Sequence, residues 1–171
     1  MSTDSGSHTG ISEKDAAVFE QRPPLRSLGE DERLAHLAAR DSGVLATVNA
    51  DGYPQLSTVI YAWDPDAGLI RISTRAHRAK AKNAARDPHA ALFVEGPDRW
   101  SFVVAEGDVE VSPISTEPGD ATGRELLAIF PQADATAEAA FLTEQVAEQR
   151  VVMRLHVTRL YGDIIELAPT R

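Results

Sequence analysis

The sequence contains no cysteine in 171 residues. That absence removes disulfides, thiolate catalysis, zinc–thiolate centres and iron–sulfur clusters together. Basic residues are scarce beside acidic ones: 17 Lys and Arg stand against 26 Asp and Glu, a formal net charge of −9. A general nucleic-acid binder needs a basic face to neutralise phosphates, so nucleic acid is not an expected partner, although a local basic pocket remains compatible with this balance. No apolar run is long enough to cross a bilayer, and Met1–Gly10 lacks the apolar centre of a secretion signal, so no membrane contact is expected and the cytoplasm is the expected location. The nucleophile elbow G-x-S-x-G, the phosphate loop and the dinucleotide-binding glycine fingerprint are all missing. The five histidines, His8, His36, His77, His89 and His156, show no short metal-ligand spacing, and no metal is expected.

What is present suffices for one globular domain. Hydrophobic residues make up 43% of the chain, too many for a disordered protein. Residues 1–26 read as a flexible polar tail and 27–171 as the folded domain. Ser27 and Glu30 form a capping-box pattern ahead of a helix over 28–40 that stops near Gly43. Three strands follow, over 44–49, 56–63 and 69–74. The first two are joined at Asp51-Gly52, read as a tight primed turn with positive φ at both central residues. A short helix over 78–86 ends at Asp87-Pro88. Strands over 90–95 and 100–112 come next, separated by a turn at Gly96-Pro97-Asp98, with a bulge or bend expected at Gly107. Asp120 and Asp134 are placed to cap two helices, over 122–130 and 136–149. Val151, Met153, Leu155 and Val157 alternate with Val152, Arg154, His156 and Thr158, the pattern of a strand with one buried face. A last short strand is expected over 161–167. Six or seven antiparallel strands with peripheral helices imply a mainly β (α+β) fold that hides its edges by closing into a barrel.

One segment departs from the acidic background. Ser73 and Thr74 end a strand, and Arg75, Arg78, Lys80, Lys82 and Arg86 follow within a few residues, where a helix begins. Free N–H groups at a helix start, hydroxyl donors and fixed cations are the set that phosphate recognition uses. The alternative is a solvated helix face carrying ordinary charge. The strand from Gln55 through Ser57, Thr58, Val59 and Ile60 to Tyr61 is a second candidate, able to lay an edge along a flat ring, or else a plain amphipathic strand. Trp100, Tyr53, Tyr61 and Trp63 are candidates to line an aromatic site, or are ordinary core and surface residues.

Several short motifs occur in a telling order: Gly43-Val44-Leu45-Ala46-Thr47, Asp51-Gly52-Tyr53-Pro54-Gln55, Ser73-Thr74, Arg78-Ala79-Lys80, Asn83, Asp87-Pro88, and Trp100 followed by Glu106-Gly107. Over about 34–160 the set resembles the pyridoxamine 5'-phosphate oxidase-like, FMN-binding split-barrel family, and most closely its deazaflavin (coenzyme F420)-dependent branch. The resemblance implies a six-stranded antiparallel split β-barrel and a homodimer with two cofactor sites at the interface. It implies that Ser73, Arg78 and Lys80, with Ala79 between them, hold the cofactor phosphate. Ser57, Thr58, Val59 and Ile60 would run along the ring, Gln55 and Thr74 would lie nearby, and Trp100 would reach the site from the partner chain. The implied activity is hydride transfer between F420 and a small electron-poor conjugated substrate. Alternatives within the fold are an FMN oxidoreductase and a non-catalytic flavin- or haem-binding protein; a barrel that binds a protein partner is a further one. Arg78-Ala79-Lys80 replaces the adjacent Arg-Lys pair of the oxidases proper, and Ile164-Ile165-Glu166-Leu167-Ala168-Pro169 lacks their Trp-and-Arg segment. Both departures point away from pyridoxamine oxidation. Arg75, Lys82 and Arg86 would meet the acidic tail of F420. No catalytic residue is assigned; Tyr61 and His77 are the candidate proton donors.

Overall fold

The computed structural model describes residues 24–97 and 100–165. The expected tail falls outside this set up to residue 23, as do Asp98 of the expected turn and everything beyond Ile165. Seven strands are formed: β1 (Leu25–Ser27), β2 (Ser42–Val48), β3 (Pro54–Asp64), β4 (Leu69–Arg75), β5 (His89–Glu95), β6 (Ser101–Val111) and β7 (Arg150–Ile165). The helices are α1 (Glu30–Ala38), α2 (Ala79–Arg86), α3 (Ala121–Ile129) and α4 (Ala135–Ala147). All strand pairs are antiparallel, and β2-β3-β4-β7-β6-β5 closes on itself through β5–β2 pairing. This is the expected six-stranded barrel. β1, which the sequence did not disclose as a strand, pairs with the end of β7 as a seventh.

Alternation along the strands fills the interior with Leu45, Ile70, Ile72, Leu92, Val94, Val103, Met153 and Leu155, all fully buried. Leu37 of α1 and Ala84 of α2 join the same cluster. Tyr61 belongs to it as well, and its hydroxyl donates to the Leu37 carbonyl at 2.9 Å.

Several local expectations shift. The first helix is capped two residues later than the Ser27/Glu30 pattern suggests. Gly29 is the N-cap, and Glu32 reaches back to its N–H at 2.7 Å. Glu32 also takes a paired contact from Arg26, at 2.7 and 2.9 Å, and these bonds hold its carboxyl down at about 2. Ser27 turns to Asp163 on β7 instead, because β1 pairing claims its backbone. The β2–β3 connection has positive φ only at Gly52. Gly52 N–H bonds to Asn49 O and Asn49 N–H to Tyr53 O, so the loop has three residues with glycine in the left-handed position rather than two in a primed turn. The two expected C-terminal strands are one, β7, which pairs with β4 along its first half and with β6 along nearly its whole length.

Outside the barrel, Glu125 of α3 accepts from Arg71 of β4 (3.1 Å) and Arg154 of β7 (2.6 Å), which fixes α3 to the outer face. Ser112 donates its N–H to Val152 O and accepts Val152 N–H on its hydroxyl. These bonds carry the β6–β7 contact one residue past the ladder, and Val152 is buried where alternation alone would expose it. Asp120 and Asp134 cap α3 and α4 as their positions suggested.

The bulge expected at Gly107 is present: the β6–β7 register slips between Glu106 and Gly107, leaving Thr158 as the extra residue on β7. A Cβ on Gly107 would stand 1.8 Å from His156 O, a backbone atom that cannot swing aside. Gly107→Ala is expected to lower stability by about 2–4 kcal/mol, measured by urea unfolding; an unchanged midpoint would show that the close approach does not matter.

Candidate functional site

The seam between β3 and β4 is incomplete. β3 pairs with β2 over Pro54–Ile60 and with β4 only over Tyr61–Asp64. Continued past Tyr61↔Ile72, the ladder would set Ile60 opposite Ser73 and Val59 opposite Thr74, but there the strands part. The outer edge of residues 54–60 consequently has no strand partner among the described residues. Its backbone donors and acceptors are available to a ligand, as on any unpaired sheet edge.

A pocket of about 400 Å³ lies at this seam, lined by Thr58, Val59, Ile60, Ser73, Lys80 and, from the helical side, Phe130, Phe141, Glu144, Gln145, Glu148 and Arg150. Five of the residues expected at the site from the sequence thus meet in one place. Lys80 has no ion pair among the described residues. Burial, and secondarily the neighbouring Arg78 charge, hold its ammonium below the ordinary lysine value. A partly desolvated cation without a counter-charge favours an anion beside it. Arg78 is the N-cap of α2, without a side-chain cap bond, and both it and Ala79 are exposed at the helix start. The helical ladder begins with Ala81 and Lys82 N–H bonding to Arg78 O, which leaves the Ala79 and Lys80 N–H groups as helix-start donors.

The remaining expected residues do not line this pocket. Ser57 faces inward, and its Oγ is buried with no hydrogen-bond partner. Thr74 alternates to the interior and is 5% exposed. Gln55 is bound within the protein, accepting from Thr47 Oγ1 and donating to Leu56 O. Trp100 precedes β6, at the far end of β7 from Arg150, where its carbonyl accepts Ile165 N–H. The four aromatic candidates do not converge: Tyr61 is core, Trp63 packs on the core, and Tyr53 and Trp100 are exposed. Of the cations assigned to an acidic tail, Arg75 is paired with Glu148 and Arg86 donates to Val48 O, so only Lys82 is without a partner among the described residues. Tyr61 is no proton donor at this pocket, because its hydroxyl is taken by Leu37 O and burial pushes its pKa up to about 12. His77 is exposed on the loop before α2.

The helices after the Pro113–Gly119 loop were expected to shape the substrate pocket and do line it, but sequence reasoning singled out neither their residues nor Arg150. Phe130 and Phe141 form a tilted ring pair, centroids 6.4 Å apart. Arg150 donates to Ser73 Oγ across 77 positions of sequence, a separation no local pattern discloses. Asn83, noted only as part of a motif, proves to be a brace: it is 5% exposed and donates to Thr47 Oγ1 (3.2 Å) and Asn49 Oδ1 (2.9 Å), pinning α2 to β2.

The outer face of β2, β3 and β5 carries Leu56, Ile60 and Phe93, which are 63%, 54% and 40% exposed. Two grooves of about 390 and 310 Å³ run beside them.

These features define a class: a closed antiparallel barrel with a split β3–β4 seam, where an unpaired strand edge meets a basic helix start. Pyridoxamine 5'-phosphate oxidase is the family whose profile matches residues 30–162, and the chain belongs to that family. It is similar to the F420H(2)-dependent biliverdin reductase of Mycobacterium tuberculosis, 26% identical over 140 residues that span 81% of this chain and 92% of the relative. A solved F420 reductase superposes with a TM-score of 0.52 at 28% identity, covering 72% of this chain and 92% of that one. A conserved hypothetical protein of Mycobacterium tuberculosis has the same fold, with a TM-score of 0.65 at 23% identity over 88% of this chain and 94% of that one.

Asn83→Ala removes both bonds from α2 to β2. It is expected to cost about 1–3 kcal/mol of stability, the usual range for a lost buried hydrogen-bonding group. Hydrogen exchange should show faster opening at the start of α2, and unchanged exchange would argue against the brace.

Proposed function

We propose that the protein is an oxidoreductase that binds the deazaflavin coenzyme F420 at the split seam and reduces a small electron-poor conjugated substrate. The observation that carries this reading is the convergence of Ser73, Lys80 and the unpaired edge of residues 58–60 on one pocket. Two independent features fit an anionic, ring-bearing cofactor. One is the Lys80 ammonium, which has no ion pair among the described residues. The other is the edge of residues 58–60, whose outward backbone groups have no strand partner among the described residues. The names of the F420-dependent relatives favour the deazaflavin over FMN.

Ser73, Lys80, Arg78 and the N–H groups at Ala79 and Lys80 hold the phosphate. Ser57, Thr58, Val59 and Ile60 offer backbone groups to the ring edge, with Gln55 and Thr74 supporting them from the interior. Ile60, Phe130 and Phe141 exclude water from the face where the substrate lies. Bound there, reduced F420 supplies a hydride to an electron-poor double bond, which is the cofactor's chemistry rather than the protein's.

The protein works as a homodimer. The face bearing Leu56, Ile60 and Phe93 is apolar, is flanked by grooves and adjoins the seam, and contiguous exposed apolar area of this kind marks an association surface. A partner seated there brings its Trp100 toward the site, which the chain's own Trp100 does not line.

Parallel titrations with F420 and FMN, followed by fluorescence, test the cofactor. F420 is expected to bind more tightly, and Lys80→Ala to weaken it at least tenfold. Tighter FMN binding would make the protein an FMN enzyme of the same fold, and binding of neither would overturn the reading. Leu56→Asp is expected to convert a dimer to a monomer in sedimentation velocity, whereas a monomeric native protein would remove the interface.

A further inference from the structure

Beneath the helical wall, three charged side chains are locked together. Glu148, just past the end of α4, takes Arg75 on Oε1. On Oε2 it takes Arg150, through Nε at 2.7 Å and Nη2 at 2.6 Å. Glu148 is held below the usual carboxylate range first by Arg75 and then by Arg150, so the pair of guanidiniums meets a fixed anion. A clamp joining the end of α4 to β4 would be complete with Glu148 and Arg75 alone. Arg150 adds a second positive charge to a single carboxylate.

The orientation of Arg150 shows where that extra charge is directed. Nε and Nη2 are turned to Glu148. Nη1, on the opposite side of the planar fork, has only a long 3.3 Å contact with Ser73 Oγ. A guanidinium carries five N–H donors, and further donors on Nη1 and Nη2 have no partner among the described residues. Arg150 and Ser73 both line the pocket, and so does Lys80. Glu144 lines it too and opposes an anion there, but it has no ion pair with Arg150 or Lys80 among the described residues.

We propose that Arg150 is an anion-binding residue of this pocket. Held rigid by Glu148, it presents Nη1 to an anionic oxygen, which replaces or shares the weak contact with Ser73 and completes a site built from β4, α2 and β7. The oxygen belongs either to the cofactor phosphate or to a carboxylate on the substrate. A pre-oriented guanidinium loses little side-chain entropy on binding, and its fork suits either oxyanion. The inference rests on the seam being a ligand site, but not on which cofactor occupies it.

The test uses the full chain, native and with Arg150→Gln and Arg150→Lys, after thermal unfolding has confirmed that each variant folds. Affinities for FMN and riboflavin, which differ by the phosphate, are measured side by side, together with the rise in melting temperature caused by inorganic phosphate. If Arg150 holds the cofactor phosphate, Arg150→Gln weakens FMN about tenfold or more and leaves riboflavin unchanged, and Arg150→Lys recovers part of the loss. If it holds a substrate carboxylate, both flavins bind as before. KM with F420H2 as reductant then rises for a carboxylated naphthoquinone but not for menadione. If the native protein takes up no flavin or deazaflavin yet is stabilised by phosphate, and Arg150→Gln abolishes that effect, the anion site stands and the cofactor reading falls. Flavin affinities, the quinone KM values and the phosphate effect all unchanged in Arg150→Gln would overturn the proposal.

Discussion

The structure turns on a ladder that is left unfinished. β3 and β4 pair over Tyr61–Asp64 and separate above Tyr61 and Ile72, although both strands run on. An unpaired edge inside a protein is costly because each buried N–H and C=O needs a partner. Here the cost is contained by geometry. β3 keeps its β2 partner along the open stretch, β4 keeps β7, and α2 with the α3–α4 pair flanks the gap. The opening can persist because the rest of the barrel over-determines it, with Leu45, Ile70, Ile72 and Met153 fully buried behind it.

Much of the scaffold could be read from the chain because it is written in local signals. Period-2 alternation located the strands, Asp120 and Asp134 announced their helices, and Gly107 announced its bulge. Where expectations slipped, a longer-range contact had outbid a local one. Ser27 is a sound N-cap by type, but pairing with β7 and the bond to Asp163 claim it. Val152 is buried on the outer face, to which Glu125 ties α3 through Arg71 and Arg154. The site divides in the same manner. Ser73, Lys80 and the 58–60 strand were visible as a hydroxyl, a basic helix start and an amphipathic edge. Arg150 was hidden in a strand whose alternation gave it no distinction, and Phe130 and Phe141 sat on helices that showed no recognisable chemistry. Arg75 looked like one more free cation until Glu148, distant in sequence, was seen to hold it.

Charge is placed economically in this acidic protein. On the outer face Glu125 gathers Arg71 and Arg154, and near the pocket Glu148 gathers Arg75 and Arg150. The first cluster is spent on packing α3. The second places Arg150 at the pocket beside Lys80, which has no ion pair among the described residues.

The long reach between Ser73 and Arg150 also bears on how the molecule folds and comes apart. The pocket does not exist in any fragment. It appears only once β7, the last strand among the described residues, has docked beside β4. Pairings this distant in sequence form late and slowly, because loop closure must precede any reward. A ligand bound across them acts on the native state alone. Saturation should therefore appear mainly as a longer lifetime of the folded protein, with the rate of reaching that state little changed.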